Sequence, residues 1–173
     1  LDAGPIIAER RLALDGSITA PELYESLKEL GSELLINEYV AYLEGKIEPQ
    51  EQDESQVTYA EKIDKSEGLI DWKEPAEKIH NAFRGLAAWP GVWTLRSNKR
   101  LKVTKMNLVV SSTKGKPPQL PGTVLKVSPE GIHIQCGEGV VVLLEVQPES
   151  RARMGISDYL KGYSLSEGER IDV

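Results

Sequence analysis

No aspartate or glutamate occurs between Glu77 and Glu130, although ten basic residues stand there. Cysteine is nearly missing too. The single Cys136 excludes an internal disulfide, and its alternation with Ile132 and Ile134 makes it a small half-buried strand residue rather than a nucleophile. Only two histidines are present, His80 beside an apolar helix stripe and His133 on a strand face turned to solvent, and no ligand spacing joins them to the cysteine. Metal binding therefore has no support, and none is expected. The lack of a Gly-Lys-Ser/Thr loop removes the basis for phosphoryl transfer, and the lack of a Gly-x-Ser-x-Gly elbow does the same for serine hydrolysis. Apolar runs such as Val140 to Leu144 are far shorter than a bilayer span, so no membrane partner is expected. Residues 1–15 lack the basic segment and apolar core of a signal peptide. With one cysteine, this fits a reducing compartment, either the bacterial cytoplasm or an organelle. The start at Leu1, without methionine, suggests a piece of a longer protein.

What is present is an asymmetric charge. Up to Glu67 the chain holds 6 basic and 16 acidic residues, and beyond it 15 basic and 11 acidic, so a front of −10 precedes a rear of +4. Such a contrast suggests two modules, one of which meets a polyanion. A basic surface guides a phosphate backbone by Coulomb attraction and counterion release without reading sequence. A lysine-rich solvated sheet face is the plain alternative.

Local patterns divide the chain at the same place. Pro5 to Leu14 reads as a strand leaving an Asp-Ala-Gly-Pro turn. Thr19, Pro21 and Glu22 form a helix-start signature, followed by Leu23, Leu27, Leu30 and Leu34 at helical spacing. Gly45 ends this helix, with a break expected near Gly31. One strand and one helix cannot enclose a core, so residues 1–45 look like the closing piece of an α/β domain. Residues 46–67 lose periodicity and read as a linker. Then Ala76, Ile79, Phe83 and Leu86 mark a short amphipathic helix entered through Pro75 and broken at Trp89-Pro90-Gly91.

Five short strands follow: Val92 to Arg96, Leu101 to Val109, Thr123 to Val127, Gly131 to Cys136 and Val140 to Val146. The first two are joined by Ser97-Asn98-Lys99-Arg100, and a Pro-rich loop runs from Ser111 to Pro121. Their number and spacing suit a small barrel of the oligonucleotide-binding type over residues 68–173, with a sandwich as the alternative. Ser157 to Tyr163 closes the chain as a helix. The expected fold is thus an α+β fragment: a remnant strand and helix followed by a β-barrel with a short leading helix. Trp72, Trp89 and Trp93 flank that helix and either pack it on the barrel or stack on bases.

Asp2 remains as a candidate for chemistry. An acid in a glycine turn before an apolar strand is ordinarily turn chemistry. Yet Leu1-Asp2-Ala3-Gly4, with Ile7 and Leu14 beyond, resembles the active-site signature of folate-dependent formyltransferases. Further segments resemble their methionyl-tRNA formyltransferase branch: Val57 to Ile63, Gly68-Leu69-Ile70-Asp71-Trp72, Arg84-Gly85-Leu86, Trp89-Pro90-Gly91, Gly122-Thr123-Val124, Arg153-Met154 and Tyr159-Leu160-Lys161-Gly162. The likeness covers essentially the whole chain in the family's order.

The resemblance implies a Rossmann-like catalytic domain ending in residues 1–45, a linker over 46–67 and a barrel over 68–173. It implies transfer of a formyl group from 10-formyltetrahydrofolate to the α-amine of methionyl initiator tRNA. Asp2 matches the catalytic aspartate, which positions water and a histidine imidazolium around the tetrahedral intermediate. The family's Asn, His and Ser-Leu-Leu-Pro loop lie upstream of this sequence, so the chain alone is expected to be inactive and to need the missing catalytic domain as partner. Charge, not a family motif, nominates Arg84, Lys99, Arg100, Lys102, Lys105, Lys114 and Lys116 as tRNA contacts, with Arg151 and Arg153 as further candidates. An exposed N-terminal strand edge invites a dimer. Two other readings stay open here: a folate formyltransferase or formyl-donor hydrolase acting on something smaller, and a non-enzymatic oligonucleotide-binding module.

Overall fold

A computed structural model describes residues 2–109 and 119–171. They form two compact units, Leu1–Lys62 and Ile63–Val173. The first is built on one helix, α1 (Ala20–Leu43), with Pro21 in its first turn. The Glu22 carboxylate accepts hydrogen bonds from the Thr19 hydroxyl at 2.7 Å and the Thr19 amide at 2.8 Å. These two bonds, the hydroxyl first, hold the Glu22 carboxyl below its ordinary range. The helix runs through Gly31 without the expected break, because one helical glycine costs only about 1 kcal/mol, too little to interrupt a long helix. Gly45, at φ +72°, turns the chain away after its end.

No residue of α1 is buried, and Leu35, Ile36, Val40 and Leu43 are all more than half exposed. Pro5 to Leu14 is not a strand. Only Ile6 pairs, with Gln50, through two amide–carbonyl bonds of 2.8 and 2.9 Å. A strand needs a continuous partner, and the described residues of this unit offer one position. Arg10 instead reaches Glu38 on α1 at 2.8 Å. The exposed strand edge on which a dimer was expected to pair is therefore absent from the described residues.

The second unit carries the core. Helix α2 (Ala76–Gly85) buries Ala76, Ile79 and His80. The strands are β1 (Val92–Arg96), β2 (Lys99–Val109), β3 (Val124–Ser128), β4 (Gly131–Gln135), β5 (Val140–Pro148) and the short β6 (Met154–Gly155), followed by α3 (Ile156–Gly162). They pair antiparallel in the order β1-β2-β5-β4-β3, with β6 on β5. Strand β5 follows β4 by a tight turn yet lies beside β2, a Greek-key return.

The closed barrel expected from strand count is not formed: no ladder joins β1 to β3 among the described residues. Both edges have other partners. The Ile70 amide donates to the Trp93 carbonyl at 2.8 Å along β1. Along β3, the Val124 amide donates to the Glu169 carbonyl and the Gly168 amide to the Val124 carbonyl, both at 2.8 Å. Flanking chain thus takes up the edge hydrogen-bonding groups that closure would have used.

Trp72 lies at the centre, with no exposed surface, and its indole Nε1 donates to the Thr94 hydroxyl at 3.1 Å. It is a packing residue, not a base-stacking one. Cys136 is buried rather than half-buried, and burial pushes its thiol up to about 11. His133 is half-buried rather than turned to solvent.

His80 makes a measurable prediction. Burial first, then the nearby Arg84 charge, push its imidazole below the ordinary value. The unfolded chain therefore binds a proton more readily, so folding stability is full above about pH 6.5 and falls as the pH drops below it. His133, depressed by burial and by Lys126, adds in the same direction. The urea midpoint should fall between pH 7.5 and pH 5.5, and His80→Gln should shrink that fall. An unchanged pH dependence in the variant would remove His80 as its source.

Candidate nucleic-acid interface

Hairpin β1–β2 presents the cations. Arg96 pairs with Lys99 in register, leaving Ser97 and Asn98 as a two-residue turn. Both have left-handed backbone, φ +51° and +61°, the twist that matches a tight antiparallel hairpin. Strand alternation sends Val92, Thr94, Leu101 and Val103 inward, and Trp93, Arg100 and Lys102 to the other face. The Arg100 guanidinium lies over the Trp93 ring, 4.1 Å from its centroid. Lys102 stands opposite Trp93, and its side chain fills the space a Cβ on Gly91 would need. Gly91 is at φ +76°, so glycine is required there twice over.

The tip of this hairpin, the turn after β5 and helix α3 enclose a groove of about 540 Å³. Its lining includes Arg96, Lys99, Arg100 and Arg151 against one carboxylate, Glu149. Arg96 forms the inner wall. It donates to the Tyr159 hydroxyl at 2.9 Å, to the Ser164 carbonyl, and to Glu169 at 3.2 Å. Burial alone would lower its pKa, but the Tyr159 hydroxyl and Glu169 together outweigh that and raise it. Tyr159 and Tyr163 stack with centroids 4.7 Å apart and planes 13° from parallel.

Two of the sequence candidates, Lys99 and Arg100, line the groove together, and Arg151 joins them. Lys102 lies on the adjoining strand face, opposite Gln147. Lys105 stands where the β2–β5 register shifts, opposite Glu145, which also accepts from the Thr104 hydroxyl at 2.8 Å. Arg84 donates to Asn81 within α2 at 2.7 Å and is not among the groove residues. Lys114 and Lys116 lie outside the described residues. Arg153, just before β6, is exposed and does not line the groove.

Asp2, in the first unit, is exposed with a left-handed backbone, φ +61°. The Gln52 side chain ties its turn together by donating to the Asp2 and Gly4 carbonyls at 2.8 and 2.7 Å. Charge counting missed Arg96 and the tyrosine pair as groove residues. The four-residue spacing of Tyr159 and Tyr163 on a predicted helix was the available signal.

Residues 62–164 match the family described as formyl transferase, C-terminal domain. The chain belongs to this family. Among curated relatives of the chain is a methionyl-tRNA formyltransferase of Bdellovibrio bacteriovorus, 42% identical over 178 residues. That alignment covers 100% of this chain and 54% of the relative. The methionyl-tRNA formyltransferase of Caldanaerobacter subterraneus subsp. tengcongensis is 40% identical over 97% of this chain and 53% of its own length. The chain thus spans about half the length of these relatives. A solved structure of HypX from Aquifex aeolicus in complex with tetrahydrofolic acid shares the fold. Its TM-score is 0.66 at 17% identity, over 99% of this chain and 32% of HypX.

Proposed function

We propose that the chain is the C-terminal half of a methionyl-tRNA formyltransferase, which moves a formyl group from 10-formyltetrahydrofolate to the α-amine of methionyl initiator tRNA. The observation that carries this is the 42% identity running the full length of the chain to an enzyme of that name. In this reading residues 1–45 end the catalytic domain, 46–67 are a linker, and 68–173 hold the body of the tRNA. The exposed apolar residues of α1 fit this, since a helix with no buried residue leaves apolar surface for the rest of a catalytic domain to cover.

The second unit supports the tRNA role through its charge. Lys99, Arg100 and Lys102 stand on one hairpin in a chain that is acidic as a whole. They neutralise phosphates and release counterions, which gives affinity without base readout. This suits an enzyme that grips the tRNA body while its chemistry works at the aminoacyl end.

Asp2 is the proposed catalytic residue of the intact enzyme. Its carboxylate supplies a hydrogen-bond acceptor that orients water and an imidazolium from upstream chain, and through it a proton leaves the attacking amine. Residues 2–5 are all exposed, so they do not by themselves make a pocket for the folate donor. No step is assigned to these residues beyond holding and passing that proton.

Two measurements test the proposal. The isolated 173-residue chain is expected to show no formyl transfer, because Asp2 lacks an enclosing site. It is also expected to bind tRNA, with log Kd rising linearly in log salt by about 0.7 to 0.9 per phosphate contact. A sugar nucleotide should not compete. Formyl transfer by the pure chain would contradict the first expectation, and absence of tRNA binding at low salt the second.

A further inference from the structure

Lys99, Arg100 and Arg151 place cations at the mouth of the groove, and a stacked tyrosine pair forms part of its wall. We infer that this groove is a single-nucleotide subsite for RNA: a phosphodiester rests on Lys99, Arg100 and Arg151, while the attached base extends the Tyr159–Tyr163 stack. The inference rests on the tRNA reading above and deepens it from a diffuse basic surface to one built site.

Several observations converge here. Tyr163 is 36% exposed and lines the groove, while Tyr159, on which it stacks, is 2% exposed. One face of the Tyr163 ring is therefore held against Tyr159, and in this inference the base stacks on the surface of Tyr163 that stays exposed. The Tyr159 hydroxyl is held by Arg96, which is itself held by Ser164 and Glu169. The platform is thus ordered before any ligand arrives, which lowers the entropic cost of binding. A volume of about 540 Å³ falls within the range of small-ligand sites and suits one nucleotide rather than a duplex. No ion pair to Lys99 or Arg151 is formed among the described residues, so their charge is directed to solvent. Aromatic stacking tolerates any base, and the cations hold any phosphate, so the subsite grips without reading sequence. Double-helical RNA keeps its bases stacked inside, so the nucleotide it takes comes from a loop or a single-stranded end.

The test uses the full 173-residue chain with two probes: a short single-stranded RNA oligonucleotide and unacylated tRNA. Binding is titrated at several salt concentrations. Tyr163→Ala should weaken oligonucleotide binding about tenfold with no change in salt slope, because stacking carries no charge. Arg151→Ala, on an exposed turn where folding is not at stake, should weaken it and reduce the slope by about 0.7, one single-strand phosphate contact. Lys161→Ala, outside the groove, should change neither. Thermal melts confirm that each variant folds. If tRNA and oligonucleotide both bind, and neither Tyr163→Ala nor Arg151→Ala weakens them, the subsite is overturned while the tRNA reading stands. Oligonucleotide binding that depends on Tyr163, without tRNA binding, supports the subsite and overturns the tRNA reading. If neither probe binds at low salt, both fall.

Discussion

Trp72→Ala is expected to remove about 3 to 5 kcal/mol from the stability of the second unit, the range for emptying a fully buried aromatic site. Domains of this size are stable by only about 5 to 15 kcal/mol, so the loss approaches the whole margin. Two terms combine. The indole has no exposed surface, so its removal leaves a cavity inside the core. In addition, the substitution removes the indole donor from the Thr94 hydroxyl, which is fully buried and accepts from it at 3.1 Å. Losing one partner of a buried hydrogen bond costs about 1 to 3 kcal/mol.

Trp72→Phe separates the two terms, because it keeps most of the apolar volume and removes the donor. It should cost clearly less than the alanine. Urea unfolding followed by far-ultraviolet circular dichroism measures both, since tryptophan fluorescence is altered by the substitution itself. A loss below about 1 kcal/mol for Trp72→Ala would mean that the core closes over the gap and that Trp72 is not its centre.

Reversing charge at the hairpin should have the largest effect on binding. Lys99→Glu, Arg100→Glu and Lys102→Glu in one chain change its charge by −6 at a surface meant for phosphate. If all three contact tRNA phosphates, the salt slope should fall by about 2 to 3, and affinity at 50 mM salt by at least about a hundredfold. The fold should survive, because Lys99 and Arg100 are exposed and Lys102 is half-buried beside Gly91, with none in the core. Lys126→Glu on β3, outside the groove, is the control for net charge. A logarithmic loss from the control about one third of that from the triple variant, in proportion to charge changes of −2 and −6, would show that overall charge, not the hairpin, governs binding. Retained affinity in the triple variant would move the tRNA surface elsewhere.

Local rules were enough for much of this protein. The Thr19–Glu22 pair starts α1, Pro75 opens α2, and the alternation of Val92 to Val109 and Val140 to Val146 marks strands that are there. Each depends on residues a few positions apart, so the chain carries the instruction wherever it is placed. The acid-free stretch and the family segments were equally legible, because composition and order need no folding to be read. Pro5 to Leu14 shows the limit: its apolar pattern suits a strand, but a strand exists only where another chain segment supplies hydrogen bonds.

Closure of the sheet was undecidable from strand count for the same reason. Whether β1 meets β3 depends on what reaches their edges first, and here residues 69–70 and 168–171 do. The groove is likewise a product of tertiary structure. Arg96, Arg151 and Tyr163 are separated in sequence by 54 and 11 residues and meet only because β5 returns beside β2 and α3 follows β6. Sequence by itself determined most of the elements, the charge and the family. Only the fold decided which cations share a surface with an aromatic platform, because that depends on contacts between segments that no local pattern encodes.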